Sequence, residues 1–247
     1  MIRGLYTAAT SMQTQMNKMD IITNNMANAN TIGYKKDAMV QDSFSLQLAK
    51  RIEKMGDTKV GTVSLGVGTS NVVTNFDQGN MVNTGGKLDV ALSGDGFFVV
   101  SSKNGDRYTR AGNFTLNNNG DLTDANGNLV ESTTGQAIHI GTGEVGISNR
   151  GCVMVDNVEV GTIKVVDFAD KAYLTKEGDG LFKTKEGATE KAFEGTVIQG
   201  FTEGSNVNSV REMVNMITLN RNYEANSKVI QTEDNLLDKA VNDIGRL

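Results

Sequence analysis

Apolar residues near the start of the chain fall at Ile2, Leu5, Ala9, Met12, Met16 and Met19, in alternating steps of three and four. That spacing is the a/d row of an amphipathic helix, and Ile22 and Met26 extend it. Thr, Ser, Gln, Asn and Lys occupy the other side. The run Asn28-Ala-Asn-Thr-Ile-Gly33 predicts a stop near Asn28, with Gly33 free to take a positive φ. At the other end, Met216, Tyr223, Ile230, Leu237 and Ile244 recur every seven residues. Val210, Met213, Ile217, Leu236, Ala240 and Val241 widen that row, and Asn220, Ser227 and Asp234 interrupt its companion. Ser209 and Glu212 have the spacing of a capping box and are expected to open the last helix.

Between the ends the period changes from helical to alternating. Leu88–Val100 reads as strand, tight turn, strand. Further short strands are expected at Arg107–Arg110, Asn113–Leu116, Gln136–Ile140, Val158–Phe168 and Gly195–Phe201, with Asn-Gly turns at 104–105, 119–120 and 126–127. The chain thus divides into three. Residues 1–60 form a helix and a partly helical connection, 61–204 a β-rich middle, and 205–247 a closing helix. The fold class is α+β, with N- and C-terminal coiled-coil-forming helices flanking a central all-β domain.

Composition sharpens this division. Of 247 residues, 38% are hydrophobic and 6% aromatic, with no Trp, so the core is small or some apolar surface waits for a partner. There are 28 Gly and no Pro, so turns rest on Gly, Asn and Asp. The net charge is -5, and the middle segment carries most of it, with 11 basic against 18 acidic residues. An acidic balance without a basic aromatic patch argues against nucleic acid. One cysteine, Cys152, allows no intrachain disulfide and no cysteine zinc site. No stretch reaches the ~20 apolar residues of a membrane-spanning helix. The N-terminus lacks the apolar core of a secretory signal, so a protein acting outside the cell would leave by a route that cleaves none.

Candidate chemistry is sparse. Gly141-Thr-Gly-Glu-Val-Gly146 has the spacing of a dinucleotide loop, but no helical period follows it, so a structural turn is expected. His139, the sole histidine, falls in an expected strand and reads as structural. Cys152 among Val153, Met154 and Val155 reads as a packed residue. Asp124, Asn126 and Asn128 begin like a calcium loop, but Leu129 and Gly135 stand where Gly and Glu are required. Catalytic residues, cofactors, metals and small-molecule substrates are therefore all expected to be none.

Four blocks carry a resemblance. Asn24-Asn-Met-Ala-Asn28-Ala-Asn-Thr31-Ile-Gly33-Tyr34-Lys35 is similar to the segment after the first helix of flagellar rod and hook proteins. Leu88-Asp-Val-Ala-Leu-Ser-Gly-Asp-Gly-Phe-Phe98, Tyr108-Thr-Arg-Ala-Gly-Asn-Phe114, and the stretch from Ser205-Asn-Val-Asn208 to Tyr223-Glu-Ala-Asn226 resemble later parts of that family in the same order. Gly85-Gly-Lys87 stands where relatives often carry Pro. The resemblance implies a structural subunit of the basal-body rod, of distal or proximal type, self-associating into a helical homopolymer. Its terminal helices would form the inner layer, with the β domain outside. Partners would be other flagellar rod and hook proteins and the flagellar type III export apparatus, and the location the basal body.

Interface residues expected on this reading are Leu5, Met12, Met16 and Met19 on the first helix, with Val210, Met213, Ile217, Tyr223, Ile230 and Leu237 on the last. Asn24, Asn25, Asn28, Thr31, Gly33 and Tyr34 form the motif loop, expected to fix how the first helix departs. A hook or hook–filament junction subunit is the alternative within the family. A ligand-binding β domain with a coiled-coil oligomerisation module is the alternative outside it.

Overall fold

A computed structural model describes residues 2–43, 67–141 and 143–244. Two compact units emerge. The first comprises residues 1–27, 37–75 and 208–247, and the second 28–36 and 76–207.

The first unit is built on helices α1 (Ile2–Ala27) and α2 (Ser209–Ile244). The first ends within a residue of the expected stop. The second starts where expected, but its cap is one residue earlier. The Asn208 side-chain oxygen accepts from the Arg211 N–H at 3.0 Å, and the Asn208 carbonyl accepts from the Glu212 N–H. Asn is as strong a cap as Ser, and its carbonyl already closes the first turn, so Ser209 is inside the helix. Gly4 faces Glu233 and Ser11 bonds Asn226, so the two helices run antiparallel. Strands β1 (Asp37–Ser43) and β2 (Val67–Thr74) pair antiparallel in the same unit, with a register shift at Val40/Gln41. The connection after α1 was expected to be partly helical. In its described part, residues 28–36 are turn and irregular chain and 37–43 are strand β1, where Ala38-Met-Val40 meets Val72-Val73 across the ribbon. The expectation for residues 44–60 lies outside the described residues.

The second unit is antiparallel throughout its described strand pairs. In chain order these strands are β3 (Met81–Asn83), β4 (Val90–Ser93), β5 (Phe97–Ser102), β6 (Gly105–Thr109), β7 (Thr115–Leu116), β8 (Leu122–Thr123), β9 (Leu129–Val130), β10 (Val145–Ile147), β11 (Cys152–Val155), β12 (Val158–Thr162), β13 (Val165–Phe168), β14 (Leu174–Gly178), β15 (Leu181–Thr184), β16 (Glu190–Ala192), β17 (Thr196–Gln199) and β18 (Phe201–Glu203). The main sheet runs β14-β15-β6-β5-β9-β8-β7, with β13 bonded to β5 and β16.

Strand β5 is the spine. Its Phe97-Phe-Val-Val100 run is fully buried, and the period of two sends alternate residues to opposite faces. Phe98 and Val100 enter one core with Leu92, Phe114, Leu122, Val130 and Ile138. Phe97 and Val99 enter a second with Tyr108, Phe168 and Phe182, where Phe97–Phe182 and Tyr108–Phe168 meet edge-on and Phe97–Phe168 is tilted.

The strand-turn-strand expected over Leu88–Val100 forms, though its two strands find other partners, and two further strand expectations need correction. β4 and β5 flank the Ser93–Gly96 turn but do not pair: β4 bonds β17, whereas β5 bonds β6, β9 and β13. Burial on both faces made β5 more useful inside the main sheet than in a local hairpin. The expected strand 158–168 breaks at Ile163-Lys164, where Ile163 enters the first core. Over 136–140 only isolated bridges form, at Ala137 and His139. The three Asn-Gly turns do form, with Gly105, Gly120 and Gly127 at φ 96, 83 and 85.

Phe97→Ala is expected to lower stability by about 3–5 kcal/mol in a urea titration followed by circular dichroism. Val158→Ala, at a side chain 66% exposed, is expected to stay within about 0.5 kcal/mol of the parent.

Candidate assembly site

On α2, Glu212, Met216, Leu219, Tyr223, Asn226, Ile230, Glu233, Leu237 and Ala240 follow one another in steps of four and three. Each is buried or half-buried. Among the described side chains of the helix every other one is exposed, save Ser227 beside this row. Asn226 and Glu233, which touch α1, place the row on the α1 side. Tyr223, Ile230 and Leu237 lie in it. Val210, Met213 and Ile217 do not. They are 70, 54 and 48% exposed, and with Val214 they lie nearly opposite the row around the helix.

The partner row on α1 runs Gly4, Ala8, Ser11, Gln15, Lys18, Ile22 and Asn25, and each is buried or half-buried. It is small and polar for much of its length. The apolar row, Leu5, Met12, Met16 and Met19, lies about a third of a turn away. Leu5, Met12 and Met19 are half-buried and Met16 is 50% exposed. The helices therefore meet along a mixed seam, and much of each greasy stripe points elsewhere.

At the end of α1 the Asn25 amide replaces a backbone partner. Its Nδ2 donates to the Asp37 carbonyl at 2.8 Å and its Oδ1 accepts the Asp37 N–H at 2.9 Å. Asn25 is 2% exposed, so this two-way bond clips the start of β1 to the helix end. Asn24 is exposed on the same turn.

The rest of the motif loop belongs to the second unit. Asn28 turns the chain: its carbonyl accepts the Thr31 N–H, and its Oδ1 accepts the Thr31 hydroxyl at 3.1 Å. Gly33 has φ 69, and its N–H donates to the Glu203 carbonyl at 2.7 Å. A Cβ there would stand 2.4 Å from the Ala111 nitrogen, so only glycine fits. Tyr34 is buried, its ring lies 4.2 Å from the Lys176 ammonium, and its carbonyl accepts the Asn206 N–H.

Sequence reasoning gave no role to the groups that anchor this loop. The Lys35 ammonium, fully buried, donates to Glu203 Oε1 at 2.5 Å and to the Asp77 carbonyl at 2.7 Å. Glu203, also fully buried, accepts the Gly79 N–H on Oε1 and Arg110 Nη1 on Oε2. Arg110 is 1% exposed, donates from Nη2 to the Gly94 carbonyl, and lies over the Phe97 ring. Burial pushes the Lys35 ammonium below the usual lysine range, against the opposing pull of the Glu203 carboxylate. Lys35 closes the first resemblance block and Arg110 sits in the third, so the signal was their shared occurrence within two quoted blocks. Glu203 lies just before the fourth.

The other candidate chemistry resolves into structure. Strand β10 begins at Val145, inside the glycine-rich 141–146 segment, so no helix opens there for a phosphate. Asp124 Oδ1 accepts the Asn126 and Asn128 N–H groups and Oδ2 accepts the Asn128 amide, which makes it the hub of a turn. His139 pairs with Asp121 at 2.9 Å on the surface, and burial pushes the Cys152 thiol up, away from the reactive thiolate.

The terminal helices belong to one unit, and the β-rich middle, with the motif loop from Asn28 on set beside its buried ion cluster, forms the other. Comparison with known proteins gives the lineage. Three sequence families match in order: flagella basal body rod protein over residues 5–35, flagellar hook protein FlgE/F/G D1 domain over 91–155, and flagellar basal body rod FlgEFG protein C-terminal over 198–243. The flagellar basal-body rod protein FlgG of Agrobacterium fabrum is 36% identical, across 95% of this chain and 97% of its own. FlgG of Bacillus subtilis is 34% identical across 98% and 99%, and the rod protein FlgF of Caulobacter vibrioides 33% across the full length of both. The chain belongs to the flagellar basal-body rod protein family.

Gly33→Ala is expected to cost at least about 2 kcal/mol through the positive φ and the backbone clash, read by thermal melting. Asn25→Ala is expected to cost about 1–3 kcal/mol by removing both side-chain bonds to the Asp37 backbone. Hydrogen exchange at the Asp37 N–H should rise accordingly while the β5–β6 amides stay protected.

Proposed function

We propose that the chain is a structural subunit of the flagellar basal-body rod, without catalytic activity, and that it polymerises through its terminal helices into the axial shaft. The supporting observation is the exposed apolar face formed by Val210, Met213, Val214 and Ile217, on the side of α2 turned away from α1. An apolar helical stripe is stable when another helix covers it, and sister subunits would supply that cover as coiled-coil-like contacts. Leu5, Met12, Met16 and Met19 present a second such face, and unbranched methionines suit contacts that differ between neighbours. Tyr223, Ile230 and Leu237 hold the helix pair together from within and reach the interface only at its edge.

In the polymer the helices form the inner layer and the β unit the outer one. The Asn24–Tyr34 loop sets the direction in which α1 leaves. Subunits arrive unfolded through the flagellar type III apparatus without a cleaved signal, and stack with copies of themselves and with other rod and hook proteins. The family lineage and the near full-length match to rod proteins support this reading.

The test is a double variant, Val210→Asp with Ile217→Asp, introduced in the native gene. Both side chains are about half exposed or more, so the purified subunit should keep its helix content and melting temperature. Cells should lose motility and basal bodies should lack the subunit, because a carboxylate buried between subunits without a partner costs several kcal/mol, on the order expected for such groups. Normal incorporation of the variant would remove this face from the interface.

A further inference from the structure

Three stretches of chain bound the second unit: residues 28–36, the segment from Phe76, and the segment up to Val207. All three are fastened to one another inside it. Glu203 reaches Lys35 of the first and the Gly79 N–H of the second, and its carbonyl takes the Gly33 N–H. Asn206 adds a second tie, accepting the Lys36 N–H at 2.8 Å and donating to the Asp77 carbonyl at 3.1 Å. Arg110, bonded to the other Glu203 oxygen, carries the tie to the end of β6 and, through the Phe97 ring, to the spine of the sheet.

The charges here do not balance. Two buried cations, Lys35 and Arg110, face one buried carboxylate, and Arg110 Nε is buried without an acceptor. Before Glu203 docks, closing the loop over β6 would bury two like charges with no buried counterion, since the nearby Asp95 carboxylate is largely exposed and paired with Lys171, and this is strongly unfavourable. Lys35 and Glu203 are 168 residues apart. We propose that Glu203 is a late closing group, whose charge couples folding of the second unit to the arrival of its last strand, β18. Until that strand is delivered the 28–36 loop stays undocked and the aromatic core around Phe97 stays open on that side. A chain supplied from its N-terminus therefore remains unfolded until nearly all of it is available. This is a property of the chain itself and holds whether or not the subunit enters a rod.

The test uses the full-length chain and the near-isosteric Glu203→Gln, which keeps the shape and removes the charge. Pulse-labelled hydrogen exchange during refolding reads three amides: Gly79, bonded to the carboxylate; Gly33, bonded to the Glu203 carbonyl; and Val99 in β5. In the wild type all three should gain protection in one kinetic phase. In Glu203→Gln, Gly33 and Gly79 should exchange faster by on the order of a hundredfold or more, and Val99 should become protected more slowly. Adding Lys35→Met, which removes one unpaired cation, should restore most of the protection. Early protection of Val99 ahead of Gly33 in the wild type would overturn the proposal. So would wild-type behaviour of Glu203→Gln. Loss of protection that Lys35→Met fails to restore would also overturn it, since Glu203 would then act through shape and hydrogen bonding rather than as a counterion.

Discussion

The carboxylate of Glu203 meets the Lys35 ammonium and the Arg110 guanidinium where all three side chains are buried, and that meeting ties together three distant segments of the second unit. Such a cluster contributes little net stability, because desolvating three ions offsets most of their attraction. Its value is in alignment. A partner shifted by a residue leaves a bare charge in the interior, so the loop, the end of β6 and β18 have one permitted arrangement. The neighbouring contacts assume that arrangement. Gly33 can approach the Ala111 backbone only because the loop is held at that depth, and Gly79 meets the Gly204 carbonyl so closely that no side chain fits between them.

The helical unit uses polarity differently. Its seam joins Ser11 to Asn226 and seats Glu233 over Gly4, while buried oxygens of Gln15 and Glu233 lack hydrogen-bond partners. An apolar seam would hold the pair more tightly. Polar groups at such positions favour one register at some cost in stability. The stripes richest in Met, Val and Ile lie off this seam, so the lone chain satisfies its helices incompletely. That division is consistent with the proposed assembly through the faces that lie off the seam.

The terminal helices were legible because heptad spacing is local and long. The Asn-Gly turns were legible because each requires a positive φ that a neighbouring pair of residues supplies. Which face of each helix meets the other was not legible. The Leu5-Met12-Met16-Met19 row is the greasier one, yet α1 turns Gly4, Ala8 and Ser11 toward α2, where small residues allow close approach. The cap at Asn208 was missed because Ser209 fits a capping box equally well, and only the carbonyl geometry separates them. The strand-turn-strand over Leu88–Val100 was legible, but the partners of its two strands were not. Here the double-sided burial of Phe97–Val100 demanded neighbours on both edges that only distant strands could supply.

The ion cluster was the least legible feature, for a reason that applies beyond this chain. Lys35, Arg110 and Glu203 are common surface residues, and nothing in their immediate sequence marks them as buried. What pointed to them was company: Lys35 ends an Asn-rich turn, and Arg110 follows Tyr-Thr before Ala-Gly. Glycines beside charged residues deserve suspicion in such a chain, because a backbone that must pass within contact distance of another leaves no room for water around the neighbouring charge. Gly33 precedes Lys35 by two residues, Gly112 follows Arg110 by two, and Gly204 follows Glu203 directly. A hypothetical Cβ at Gly33 or Gly112 would strike backbone of a distant segment, and Gly204 itself receives the close approach of Gly79. Close backbone crossings exclude solvent, excluded solvent forces charges to pair, and the pairing then selects which segments may cross.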